Sequence, residues 1–140
     1  MSFIDILADK EVIKRSDIVS LREEVRLTGE SLEQALVKHG VSAEAILEAK
    51  GEYLGIPVRS ISEPSIPSKI LELIEEKSAT HYRYKPLDIV DGALEVGMVD
   101  PDDSDARDAL NFISAKIGMP FKIFLISEDD FKTALQSYKG

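Results

Sequence analysis

The stretch YRYKPLDIVDGALEVGMV, residues 82–99, decides the fold. It contains two strand-like runs, about 82–90 and 93–99, on either side of Asp91-Gly92. That dipeptide is a strong hairpin signal, because both of its residues tolerate positive φ. In the second run Leu94, Val96 and Met98 alternate onto one face, the period of a strand with a buried side. In the first run Pro86 removes a ladder donor and the alternation shifts from Tyr82/Tyr84 to Leu87/Ile89. An edge or bulged strand is therefore expected there.

Working outward from the hairpin, Asp100-Pro101-Asp102-Asp103-Ser104-Asp105 has the carboxylates and proline of a helix start. Ala106, Leu110, Ile113 and Ile117 follow at spacings of 4, 3 and 4, one apolar stripe. Gly118-Met119-Pro120 ends that helix, and residues 121–126 read as a buried strand. A strand–helix–strand run of this kind crosses over right-handedly and leaves its strands parallel. Ser127 and Asp130 read as a capping box for a last helix carrying Phe131, Leu135 and Tyr138. Before the hairpin, Pro67 opens a helix through Ile70, Leu71 and Ile74. Residues 68–140 thus read as a small three-stranded α/β domain of order α-β-β-α-β-α. Residues 59–67 are a Ser/Pro connector containing Pro64 and Pro67.

Residues 1–58 carry helical periodicity instead. Four short helices are expected. The first holds Phe3, Ile4, Ile6 and Leu7, and the second holds Ile18, Leu21, Val25 and Leu27. The third holds Leu32, Ala35, Leu36 and Val37 and stops at Gly40, and the fourth runs from an N-cap at Ser42 through Ile46, Leu47 and Leu54. The two hairpins read as one unit written twice. Phe3, Leu7 and Val12 match Leu32, Leu36 and Val41 at an offset of 29, and Ile18 and Leu21 match Ile46 and Ala49 at 28. Any two amphipathic hairpins align comparably, so both origins stay open. Glu11 stands where the second copy has Gly40, so its turn must close differently or at a strain cost. The fold class is α+β: helical hairpins over 1–58, then the connector and the α/β domain.

Composition narrows function mainly by exclusion. Of 140 residues, 44% are hydrophobic, and 17 basic against 26 acidic side chains give a net charge of −9. That balance opposes binding to nucleic acid or to an anionic membrane surface, both of which need clustered cations. The absence of cysteine removes every thiol mechanism. No apolar run is long enough for a membrane span and no secretory signal pattern opens the chain, so a cytoplasmic location is expected. None of the eight glycines precedes lysine, which excludes a Walker loop. Two histidines, His39 and His81, do not make a zinc site. The run Asp100–Asp108 lacks the glycine and glutamate of an EF-hand and reads as helix capping. No catalytic residue, metal or cofactor is expected. One basic feature remains: Arg15, Arg22 and Arg26, at spacings of 7 and 4, share a face of the second helix. They suit either a solvated face paired with neighbouring glutamates or a docking strip for an acidic partner helix.

The order of parts resembles a known family. The helical hairpins lead into YLGIPV at residues 53–58, then the connector, and then LEVGMVDPDD at 94–103 with ALNFI at 109–113. This is similar to the N-terminal region of the ATPases that assemble type IV pili and drive type II secretion, over nearly the whole chain. The resemblance implies a non-catalytic docking and regulatory module that couples a motor to an inner-membrane platform or docking protein. The ATPase domain would lie C-terminal to it, and the module would be recruited to the inner face of the inner membrane. The family does not assign the contact residues; the charge of Arg15, Arg22 and Arg26 makes their strip the expected place for that contact. Some family members bind cyclic di-GMP through an Arg-Leu-Gly start to each helical copy. The equivalent positions here are Ser2-Phe3-Ile4 and Ser31-Leu32-Glu33, without either arginine or glycine and with a carboxylate added. Cyclic di-GMP sensing is therefore the alternative rather than the leading expectation.

Overall fold

The computed structural model describes residues 2–61 and 66–139. The expected connector prolines and serines at positions 62, 64 and 65 lie outside the described residues. The chain divides into two compact units, Met1–Gly55 and Ile56–Gly140.

The first unit contains α1 (Phe3–Asp9), α2 (Ser16–Thr28), α3 (Leu32–Lys38) and α4 (Ala43–Leu54). Helix α1 packs on α4 and α2 on α3, so each copy buries its apolar face largely against the other. Ile4, Leu7, Leu21, Ala35, Leu36, Ile46 and Ala49 form the core. The likeness of the two hairpins extends to the hydrogen bonds. In the first turn Glu11 and Val12 N–H donate to the Ala8 and Leu7 carbonyls, and in the second Gly40 and Val41 N–H donate to Val37 and Leu36, all at 3.0 Å. Glu11 adopts the glycine-like conformation itself, at φ 60° against 88° for Gly40. The turn therefore closes in the same way in both copies, and the first carries the strain. Leu27 and Val37, expected in the core, are instead 70% and 54% exposed. The α2 stripe runs Ile18, Leu21, Val25, and a residue two positions past Val25 faces elsewhere on a helix.

The second unit contains α5 (Ser68–Leu71), α6 (Glu76–Tyr82), β1 (Tyr84–Val90), β2 (Ala93–Met98), α7 (Ser104–Ile117), β3 (Phe121–Leu125) and α8 (Glu128–Leu135), followed by a 3-10 turn at Gln136–Lys139. The sheet order is β1-β2-β3, antiparallel then parallel. The hairpin turns at Asp91 and Gly92, both at positive φ, and the bulge falls between Pro86 and Asp88. Helix α6 is an addition to the expected element order, and Tyr82 belongs to it rather than to the strand. Its one buried residue is Ala79, so no apolar stripe marked it. Arg83 then breaks into the strand at φ 57°.

Strand β2 is buried almost throughout. Leu94, Val96 and Met98 meet Ala106 and Leu110 of α7 in the main core. On the other face, a Cβ at Gly97 would lie 2.9 Å from Ile126 Cγ2, so only glycine admits Ile126 there. Pro57–Arg59 run beside β3: Leu125 N–H donates to the Pro57 carbonyl at 2.8 Å and Arg59 N–H to the Leu125 carbonyl at 2.9 Å. This pairing ties the end of YLGIPV to the sheet and accounts for the unit division after Gly55. Arg59 also pairs with buried Glu95 at 2.9 Å and lies over the Phe124 ring. At α8, Ser127 Oγ accepts from Asp130 N–H at 3.0 Å, half of the expected capping box. The Asp130 carboxylate instead accepts from Ile61 N–H, tying the first part of the expected connector to α8.

Candidate functional site

Arg15 is the N-cap residue of α2, and Arg22 and Arg26 lie about two and three turns further along the same face. Val19, 76% exposed, falls between Arg15 and Arg22 at spacings of 4 and 3 and completes the row. This side chain is the part of the face that reading for charge alone missed. A large exposed valine on a charged helix was visible in the sequence as an apolar residue outside the α2 stripe.

Each arginine has a polar neighbour. Arg15 pairs with Asp9 at the end of α1. Arg22 Nη2 donates to Ser2 Oγ at 3.2 Å. Arg26 Nε donates to Glu23 Oε2 at 3.1 Å, and that bond holds the Glu23 carboxyl below its ordinary range. The Arg15 and Arg26 side chains remain 64% and 68% exposed. Exposed pairs of this kind contribute little to stability and exchange partners readily. The arginines are thus paired locally and still presented to solvent around an apolar side chain.

The starts of the two helical copies are closed by their own residues. Ser2 N–H donates to the Asp5 carboxylate at 2.8 Å, which keeps that carboxyl below its ordinary range. Ser31 and Gln34 form a reciprocal capping box at 2.9 and 3.1 Å. Ile4 is fully buried, so its backbone is not open to a ligand as a glycine's would be. Glu33 faces Lys50 at 3.4 Å. In the second unit Asp103 accepts from the N–H groups of Asp105 and Ala106, so the acidic run caps α7. Among the described residues no three His, Cys, Asp or Glu side chains converge as a metal site. Among the same residues no helix is long and apolar enough to cross a membrane.

The MshEN domain model matches residues 54–140. The chain is 24% identical over 135 residues to the type IV pilus assembly ATPase PilB of Myxococcus xanthus, covering 96% of this chain and 23% of that protein. It is 29% identical over 137 residues to bacteriophage adsorption protein B of Escherichia coli, covering 95% of this chain and 17% of that one. The chain thus spans less than a quarter of the length of these curated relatives. Among solved structures, MshE with cdg superposes at a TM-score of 0.82, with 20% identity and 99% of both chains covered. The N-terminal domain of XpsE superposes at 0.62, also at 20% identity, over 96% of this chain and 92% of that one. These likenesses show the fold, helical hairpins joined to a small mixed sheet. With the family match running from the last residue of α4 through the whole sheet, the chain belongs to the MshEN domain family.

Proposed function

We propose that this chain is the non-catalytic N-terminal docking and regulatory module of a secretion or type IV pilus assembly ATPase. It would couple the motor to an inner-membrane platform or docking protein. The observation that carries the reading is the match with PilB across 96% of the chain, supported by the shared fold with the XpsE N-terminal domain. ATP hydrolysis belongs, on this reading, to a motor domain outside the 140 residues. The Arg15, Val19, Arg22, Arg26 row is the proposed docking face, with the arginines steering an acidic helix and Val19 seating it. Reversing Arg15, Arg22 and Arg26 to glutamate is expected to abolish co-purification with the inner-membrane partner while circular dichroism stays helical. Unchanged co-purification removes this face from the reading.

A second reading, cyclic di-GMP sensing, is favoured by one observation, the full-length superposition on MshE with cdg. The capped Ser2 and Ser31, buried Ile4 and the Glu33 carboxylate weigh against it, because an anionic dinucleotide needs free donors and close backbone approach. Calorimetry with cyclic di-GMP separates the two: micromolar or tighter binding makes sensing the primary role.

A further inference from the structure

Lys85 is the one lysine with no exposed surface among the described residues, and its Nζ has no hydrogen-bond partner. It lies instead 3.2 Å from the centroid of the Tyr138 ring. Tyr138 belongs to the 3-10 turn that follows α8, and its hydroxyl donates to the Ile74 carbonyl at 2.5 Å. The Tyr138 side chain therefore seats the turn, its ring covering the Lys85 amine and its hydroxyl reaching the loop after α5. Two further buried polar atoms lack partners, Tyr84 Oη on the same strand and Ser137 Oγ in the turn itself. Beside the turn a cavity of about 490 Å³ opens between Ser68, Leu71, Ile74, Glu76, Ser137 and Tyr138. Closing the turn thus covers the Lys85 amine and the Ser137 hydroxyl without giving either a partner, and lifting it would return water to both.

We propose that the turn Gln136–Lys139 is a releasable latch seated on Lys85, closed by Tyr138 and loosened when Lys85 takes up a proton. The direction follows from the groups around the amine. Glu76 of α6 favours the charged form, as does the face of the Tyr138 ring. Tyr84 beside it on β1 is a neutral phenol, pushed up to about 12 by burial. Gly97, opposite on β2, carries no side chain, and no charged group of α5, α7 or α8 contributes. Burial outweighs Glu76 and moves the amine from 10.5 down to about 8. With the turn lifted, the hydrated amine returns to its ordinary value. The state with the lower pKa is the closed one, so deprotonation tightens the latch and protonation opens it.

The test is hydrogen exchange of residues 136–139 in the full chain, corrected for the intrinsic rate at each pH, with α7 as internal control. Linkage between about 8 and 10.5 sets a ceiling of about 300-fold on the coupling. Between pH 7 and 9.5 protection of the turn should rise roughly 25-fold while α7 changes little. Lys85→Met should remove that dependence and protect the turn at pH 7. Tyr138→Phe keeps the ring and loses the Ile74 bond, so it should lower protection at every pH and retain the dependence. It also decides the matter if Lys85→Met does not fold. A flat wild-type profile, a Lys85 amine titrating near its ordinary 10.5, or a Tyr138→Phe turn as protected as wild type overturns the latch.

Discussion

The two turns of the duplicated helical unit offer a paired test of the strain argument. Glu11 and Gly40 occupy equivalent positions, make the same hydrogen bonds and both have positive φ. Glu11 is exposed, and Gly40 has nothing within 4 Å of where a Cβ would sit, so neither exchange alters packing. Holding a side-chain-bearing residue in the left-handed region costs about 1–2 kcal/mol. Placing glycine there removes that cost and returns about 0.4–1 kcal/mol to the unfolded chain as entropy. Glu11→Gly should therefore stabilise the helical unit by about 0.5–1 kcal/mol. Gly40→Ala should destabilise it by a similar amount, and the double variant should lie near wild type. Urea titration followed by helical circular dichroism reads all three, and unchanged m-values would confirm that stability alone has moved. If Glu11→Gly lowers stability, Glu11 makes a favourable interaction that the strain argument omits and the reasoning fails.

Three further outcomes follow from the second unit. Gly97→Ala should cost about 1–3 kcal/mol, since its Cβ would meet Ile126 Cγ2 at 2.9 Å and Leu87 Cδ1 at 3.2 Å; adding Ile126→Ala should recover part of the loss in thermal unfolding. Arg59→Ala leaves Glu95 buried without its ion pair and should cost about 1–3 kcal/mol, whereas Glu95→Gln with Arg59 intact should cost less. The Lys85 amine, depressed to about 8, is more protonated unfolded than folded above that pH, so stability should rise by about 2 kcal/mol from pH 8 to 10. Lys85→Met should abolish that rise. Above pH 10 the trend should reverse, because Tyr84 and Tyr138 are both raised and ionise first in the unfolded chain.

Most of the architecture was legible because it rests on local chemistry. Asp91-Gly92 can turn only one way economically, the 4-3-4 stripe of α7 has one buried face, and Ser42 and Ser127 cap the helices expected of them. Helix α6 was not legible, because a helix that buries only Ala79 leaves no periodic trace. Leu27 and Val37 misled for the opposite reason: hydrophobicity marks a residue that can be buried, and only the neighbouring helix decides which one is. Of the candidate face, the arginine spacing was legible, while Val19 as its apolar centre and the pairing with Asp9, Ser2 and Glu23 were not.

The identity of every element but α6, the hairpin, the likeness of the two helical hairpins and the residue that would be strained in the first of them are written in the order of side chains along the chain. They depend on spacings of a few residues, where period, capping and allowed φ act directly. Tertiary structure decided the rest: that Pro57–Arg59 extend the sheet, that Gly97 admits Ile126, and that Lys85 ends beneath Tyr138. Those contacts join positions up to 68 residues apart, and nothing in local propensity selects one distant partner over another. That selection is made by close packing, in which the last side chain to fit is determined by all the others.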